Sequence, residues 1–302
     1  MAEQITKLFS KEIQENLFPK NEFYKRSRLD ANVSADWGVV QVPQAGAVPG
    51  ITKNASSFPL TAAQRTDDVK EYNVDAYNTD PILITDVNEA ITNYNKRQDI
   101  IKDHTKALNT RVADEMAYLW AVTQTSQKFF TSGANVAAAA PSATGTRKGA
   151  TRADFAKLAV AFDKDDVQSD ERNVLISASQ YEELLNIDSF INFDYMNNKP
   201  AVDGQIGEIF GMKVFKRSRN TIFDASNDKK AVGAAGATTD NLSILAWSDS
   251  YVRRAEGTIK LFAEIDSPLY LGSIFNGLVR AGGTIGRTDE KGVYSLIQAA
   301  GV

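Results

Sequence analysis

The sequence predicts a mixed fold of the α+β class, on three observations. Positions 87, 91, 94, 98, 101, 105, 108, 112, 116 and 119 recur in steps of three and four, and eight of the ten are apolar or aromatic. That is the stripe of one long amphipathic helix. Downstream, Thr151 with Asp154 and Ser179 with Glu182 have the spacing of capping boxes that open two shorter helices. Around these lie runs of β character at 173–177, 212–216, 242–247, 257–265, 274–285 and 293–297.

Taken in order, the first 85 residues do not read as an independently folded domain. Residues 2–17 predict a short amphipathic helix with Ile5, Leu8, Phe9 and Ile13 on one face, followed by a charged cluster over 20–30 and a Gly/Pro/Ala-punctuated stretch over 40–50. Two extended runs, 53–60 and 69–77, separated by a polar turn, suit a two-stranded hairpin. A lone hairpin is marginal in water and this one has little apolar surface, so something outside the segment has to hold it.

The long helix has Thr85 or Asp86 as N-cap and meets neither Pro nor Gly before Gly133. It should run about 35–40 residues, over residues 86–125, on the order of 50–60 Å at about 1.5 Å per residue. A helix of that length forms a spine across a flat body or a coiled coil. Residues 133–150, rich in Ala, Gly, Ser and Thr, read as a flexible connection. In the first short helix Phe155, Leu158, Ala159 and Phe162 should point inward; Tyr181, Leu184 and Leu185 do so in the second. Residues 204–211 read as glycine turns entering the strand at 212–216. In the 257–265 run, Ile259, Leu261, Ala263 and Ile265 share one face. There is no internal repeat.

Composition excludes most enzyme classes. The chain has 302 residues, 34 Lys+Arg against 38 Asp+Glu, no cysteine and one histidine. Disulfides, thiolate nucleophiles, cysteine-ligated zinc and iron–sulfur clusters are thereby removed, and a net charge of −4 is no footprint for a dedicated nucleic-acid binder. Residues 204–211 lack the GxGxxG spacing and precede a strand, and no GxxxxGK[ST] occurs. The acidic run 163–171 lacks the glycine and terminal glutamate of a calcium loop and reads as a solvated turn. His104, one residue before a stripe position, reads as a helix-surface or subunit-contact residue, because no catalytic partner set accompanies it. Lys20, Lys25, Arg26 and Arg28, interleaved with Phe23 and Tyr24 and diluted by Glu22 and Asp30, read as an inter-subunit ion-pair strip ahead of a nucleic-acid patch. Trp37, Trp120 and Trp247 read as packing anchors. No catalytic, cofactor or metal site is expected. The opening residues lack the apolar run of a signal peptide, so a soluble protein made in a cytoplasm is expected.

The order of arm, polar hairpin, long helix and α/β body resembles the major capsid proteins of tailed double-stranded DNA phages, the Hong Kong 97-type fold. Residues 172–185 look like that family's strand followed by a "position, Tyr, Leu" helix. Residues 204–214 look like its G-x-I-G-x-[IF]-x-G-[FM]-x-V segment. The resemblance implies an N-terminal arm over 1–50, an extended loop over 51–85, a spine helix and connection over 86–150, an axial domain over 151–250 and peripheral-domain strands over 251–302. It implies a shell subunit of hexamers and pentamers enclosing a genome, assembled in the host cytoplasm and ending in the virion. Its partners would be itself, a portal protein, scaffolding and decoration proteins, and packaged DNA through weak non-specific contact, with no membrane. Lys53, Arg65 and Lys70 join Lys20, Lys25, Arg26 and Arg28 as expected inter-subunit contacts. A lysine crosslink of the kind some members form is not carried over, since no partner residue can be matched. On this reading, deleting 1–30 or 55–75 abolishes assembly and leaves 151–302 folded. The alternatives are an encapsulin-type compartment carrying protein cargo and, more distantly, an enzyme or binding module.

Overall fold

The structure, a computed structural model, describes residues 21–30, 38–54, 56, 58, 62, 64–85, 96–185 and 205–301. The expected helix over 2–17, Lys20 and Trp37 lie outside the described residues. The chain enters through one 3-10 turn, Glu22–Lys25, then β1 (Arg28–Leu29), β2 (Val39–Gln44), β3 (Asp68–Asn73), β4 (Asp75–Asn78) and β5 (Ile82–Thr85). Helix α1 (Lys96–Trp120) follows, then β6 (Lys128–Phe130), β7 (Asn135–Ala137) and β8 (Thr146–Lys148). Next come α2 (Arg152–Lys164), β9 (Arg172–Ser177), α3 (Ala178–Leu185), β10 (Gln205–Ile209), β11 (Met212–Arg217) and β12 (Ile222–Phe223). The chain closes with β13 (Asn241–Ser248), β14 (Val252–Glu256), β15 (Lys260–Ser267), β16 (Gly272–Ile285) and β17 (Val293–Ile297).

A seven-stranded sheet has the order β10-β11-β9-β13-β17-β6, with β12 beside β13. Every residue of β9, β13 and β17 is buried, because both faces are covered. Alternate side chains divide between two cores. Val174, Ile176, Ile244 and Ala246 meet Phe155, Leu158 and Phe162 of α2 and Leu184 of α3. Leu175, Leu245 and Trp247 face Val112, Met116 and Trp120 of α1. The sheet therefore draws on residues 128–130 and 293–297 as well as on the 151–250 stretch.

The six-stranded sheet is organised on β16, which pairs with β14, β15, β4 and β5. Its glycines admit close crossings that a side chain would block. A Cβ at Gly282 would lie 2.2 Å from the Asn73 carbonyl oxygen, and one at Gly283 would lie 2.7 Å from Met116 Sδ of α1.

Helix α1 ends at Trp120, short of the expected 125. Its buried stripe drifts from the expected 119 to a four-residue series, His104, Leu108, Val112, Met116 and Trp120, joined by Ala113 and Ala117. The end is fixed by neighbours. Lys229 Nζ donates to the carbonyls of Tyr118 (3.2 Å) and Ala121 (2.8 Å), and the Glu290 carboxylate accepts from the amides of Thr123 and Gln124, each at 2.8 Å. Residues 86–95 lie outside the described residues.

Three other expectations are corrected. β3 pairs with β2, from Val39↔Asn73 to Gln44↔Asp68, so the hairpin's first strand lies in the stretch read as punctuated arm and not at 53–60. The 133–150 connection is a β7–β8 ribbon pinned by the buried Arg147, whose guanidinium bonds Asn241 Oδ1 (2.6 Å) and the carbonyls of Thr146, Thr238 and Asp240. The second short helix is capped two residues earlier than expected and without the full box: the Gln180 amide donates to Ser177 Oγ at 3.1 Å and Ser177 Oγ donates to Gln180 Oε1 at 2.9 Å. In β15 side chains of both faces are open, Leu261 44%, Phe262 54% and Ile265 59% exposed, while Ile259 just before it packs against the α1 core. The box at Thr151 and Asp154 forms as expected.

Candidate assembly surfaces

The basic N-terminal strip is built around two buried rings. The 3-10 turn drives Phe23 and Tyr24 inward, and Phe23 stands edge-on to Trp247 (6.0 Å), Tyr24 (6.2 Å) and Trp120 (6.3 Å) between ring centroids. Arg217 stacks over Phe23 at 5.6 Å and Arg254 over Tyr24 at 5.5 Å. These rings are core, which removes the nucleic-acid reading of the interleaved aromatics. Arg217 is itself buried, bonding Asn21 Oδ1, the Thr110 carbonyl and, at 2.6 Å, Asp114. Burial lowers its pKa and Asp114 opposes that shift. Burial and the Glu256 carboxylate beside it push the Tyr24 hydroxyl up to about 12.

The hairpin root is held by a small core and a polar clamp. Val40, Val42, Tyr72 and Val74 close on Ala255 of β14. Asp30, just after β1, accepts from Tyr72 Oη at 2.6 Å through one carboxylate oxygen and from Arg253 Nη1 at 2.6 Å through the other. One carboxylate thus joins the N-terminal segment, the hairpin and the six-stranded sheet. Burial, then Asp30, raises the Tyr72 pKa. Gln44 Nε2 and Lys70 Nζ add bonds to the carbonyls of Gly286 (2.5 Å) and Arg287 (2.9 Å).

Of the expected contact residues, Lys25, Arg28 and Lys53 are exposed. Arg65 pairs with Asp67 at 2.6 Å, and Lys70 is occupied at Arg287, so both have partners within the chain. Arg26 is half-buried, and its carbonyl accepts from Trp247 Nε1 at 2.7 Å. His104 is buried on α1. The residues that composition did not reveal are apolar. At the hairpin tip Val48, Ile51 and Phe58 are 89%, 98% and 78% exposed, and beside β15 Leu269 and Leu271 are 80% and 73% exposed. Solvated apolar groups of this kind mark contact surfaces.

The fold and these surfaces have counterparts. A family model described as phage capsid protein matches residues 27–295. The chain belongs to the phage capsid protein family. Its fold is shared with solved phage structures. One is the capsid of the cyanophage P-SCSP1u, at 19% identity and a TM-score of 0.72, covering 99% of this chain and 94% of that one. Mycobacterium phage Che8 gives 13% and 0.68, covering 98% of each chain. The capsid of Ralstonia phage GP4 gives 14% and 0.67, covering 99% and 96%. At these identities the likeness speaks for the fold. No curated protein sequence matches. The expected Hong Kong 97-type α+β fold thus holds for this capsid protein. It is a structural major capsid protein of a phage virion, and the encapsulin alternative is not favoured. Among the described residues no helix is long and apolar enough to cross a membrane.

Proposed function

We propose that this capsid protein forms hexamers and pentamers of an icosahedral shell around the double-stranded DNA of a tailed phage, assembled in the host cytoplasm. The observation that carries the reading is the hairpin tip. A root anchored by Tyr72 and Asp30 leaves Val48, Ile51 and Phe58 open to solvent, with no cover among the described residues. In a shell a neighbour covers them, and many such contacts add as avidity. Lys25, Arg28 and Lys53 remain the candidate charged contacts, with Arg26, Arg65 and Lys70 as lesser candidates; Lys20 is carried as a candidate from the sequence alone. The domain division follows the resemblance: arm over 1–50, extended loop over 51–85, spine and connection over 86–150, axial part over 151–250 and peripheral strands over 251–302. β6 and β17 are shared into the axial sheet. Portal, scaffolding and decoration proteins are the further partners. A net charge of −4 supports only weak contact with the packaged DNA.

Electron microscopy of the purified protein with light scattering tests this. Closed shells or discrete capsomers are expected from the full chain, and loss of both is expected when residues 48–62 are replaced by a short Gly-Ser link. A stable monomer of the full chain, or regular shells from the tip-less variant, overturns it.

A further inference from the structure

We propose that His104 is an acid-sensitive latch between α1 and the β4–β5 stretch that continues from the hairpin root. The ring is 3% exposed, and its Nε2 is buried without a hydrogen-bond partner. It lines a groove of about 600 Å³ whose opposite wall is Tyr77, Asn78, Thr79, Asp80 and Ile82. The ionisable groups facing the groove are Asp103 and Arg111 from α1 and Tyr77 and Asp80 from the opposite wall. The one charged residue of β16, Arg280, is in register with Ala76 and does not line it.

A neutral imidazole tolerates this place at the cost of one unsatisfied nitrogen. An imidazolium does not, because it adds a cation and an N–H donor with no acceptor to a desolvated wall. Burial lowers the pKa of His104 from its ordinary 6.5, and the opposing pull of Asp103 does not offset it. The sign follows from linkage. The latch is at full strength above 6.5, and its strength is lost as pH falls through 6.5 towards the lower folded value. Proton uptake then favours a state in which the ring reaches water or Asp80, which requires β4–β5 to lift from α1. One proton limits the change in the opening constant to about tenfold per pH unit. Chain continuity transmits the movement, because Asp75 of β4 lies two residues beyond Asn73 of β3.

The chain has a single histidine, so the response is assignable. Histidine C2-hydrogen exchange by mass spectrometry on the full chain, assembled or as capsomers, reads this ring, and amide exchange between pH 7.5 and 5.5 reads residues 75–85. The expected results are a C2 midpoint below 6.5 and an opening constant for 75–85 that grows several-fold on acidification. In His104→Leu and His104→Gln that growth should vanish. A midpoint at or above 6.5, an unchanged acid response in either variant, or amide protection in the unmodified chain that is flat across the window overturns the proposal. The two measurements on the unmodified chain, the C2 midpoint and the amide protection, decide even where the variants do not fold.

Discussion

Replacing Phe23 by alanine should free the N-terminal segment from the body while leaving the body folded. The ring is 2% exposed and fills the space between Trp120, Trp247 and the Arg217 guanidinium. Truncating a buried phenylalanine costs about 3–5 kcal/mol, a range that already includes the lost edge contacts of roughly 0.5–1.5 kcal/mol each. A domain of this kind holds only about 5–15 kcal/mol in all, so the cheapest response is local release. The remaining hold on the segment is the buried Tyr24 ring under Arg254, the two-residue pairing of β1 with β14, and single bonds such as the Arg26 carbonyl to Trp247 and the Asp30 carboxylate to Arg253. Urea unfolding followed by tryptophan fluorescence gives the loss directly. Trypsin cleavage at Lys25 and Arg26 should accelerate roughly 100-fold or more, each 1.4 kcal/mol being about tenfold in the open population. Phe23→Leu should retain more than half of the difference. A loss below about 1 kcal/mol with unchanged cleavage would refute the reasoning.

Three further outcomes are expected. Tyr72→Phe removes a hydrogen bond to a carboxylate, worth about 1.5–3 kcal/mol, and should speed amide exchange over 68–73 while leaving 241–248 protected. Gly282→Val places a side chain where a Cβ already lies 2.2 Å from Asn73 O; it should leave the protein insoluble or without assembly, read by sedimentation of the expressed chain. Asp154→Ala should cost about 1–3 kcal/mol by thermal melting at pH 7, because its carboxylate caps α2 and accepts from Ser132, Thr151 and Lys157. Burial would raise the Asp154 pKa, but those hydrogen bonds outweigh it and hold the carboxyl below 3.8. Its contribution is therefore present above 3.8 and lost as pH falls through the folded value, so the substitution should flatten the acid limb of the melting curve.

Much of the body was legible because its signals are local. The Thr151 box, the short apolar-rich runs of β9 and β13, and the limits of β17 follow from short-range pattern alone. What escaped was long-range. Nothing in residues 39–44 announces that their partner is 68–73, because polar strands carry weak register information. The Asp30–Tyr72–Arg253 clamp joins three separated segments, and no spacing rule connects them. Phe23 and Tyr24 sit among charges and read as surface, yet one 3-10 turn buries both. The same fact bears on the deletion expectation: removing 1–30 takes Phe23 out of the core, and removing 55–75 takes β3 from its pairing with β2. The alternation of β15 likewise says which residues share a face and not whether that face is covered: Leu261 and Ile265 are open, and so is Phe262 opposite.

The place of β17 in the seven-stranded sheet bears on when, during synthesis, the subunit becomes competent. β17 lies between β13 and β6, so two strands made much earlier cannot be joined until residues 293–297 have left the ribosome. Until then β13 presents an open apolar edge, and α1 lacks Val293 from the core beneath it. A nascent chain is thus held short of its final shape until residues 293–297 have been made. On a polysome crowded with identical chains, that delay leaves the open edge of β13 facing its neighbours for the time it takes to make the last stretch up to β17.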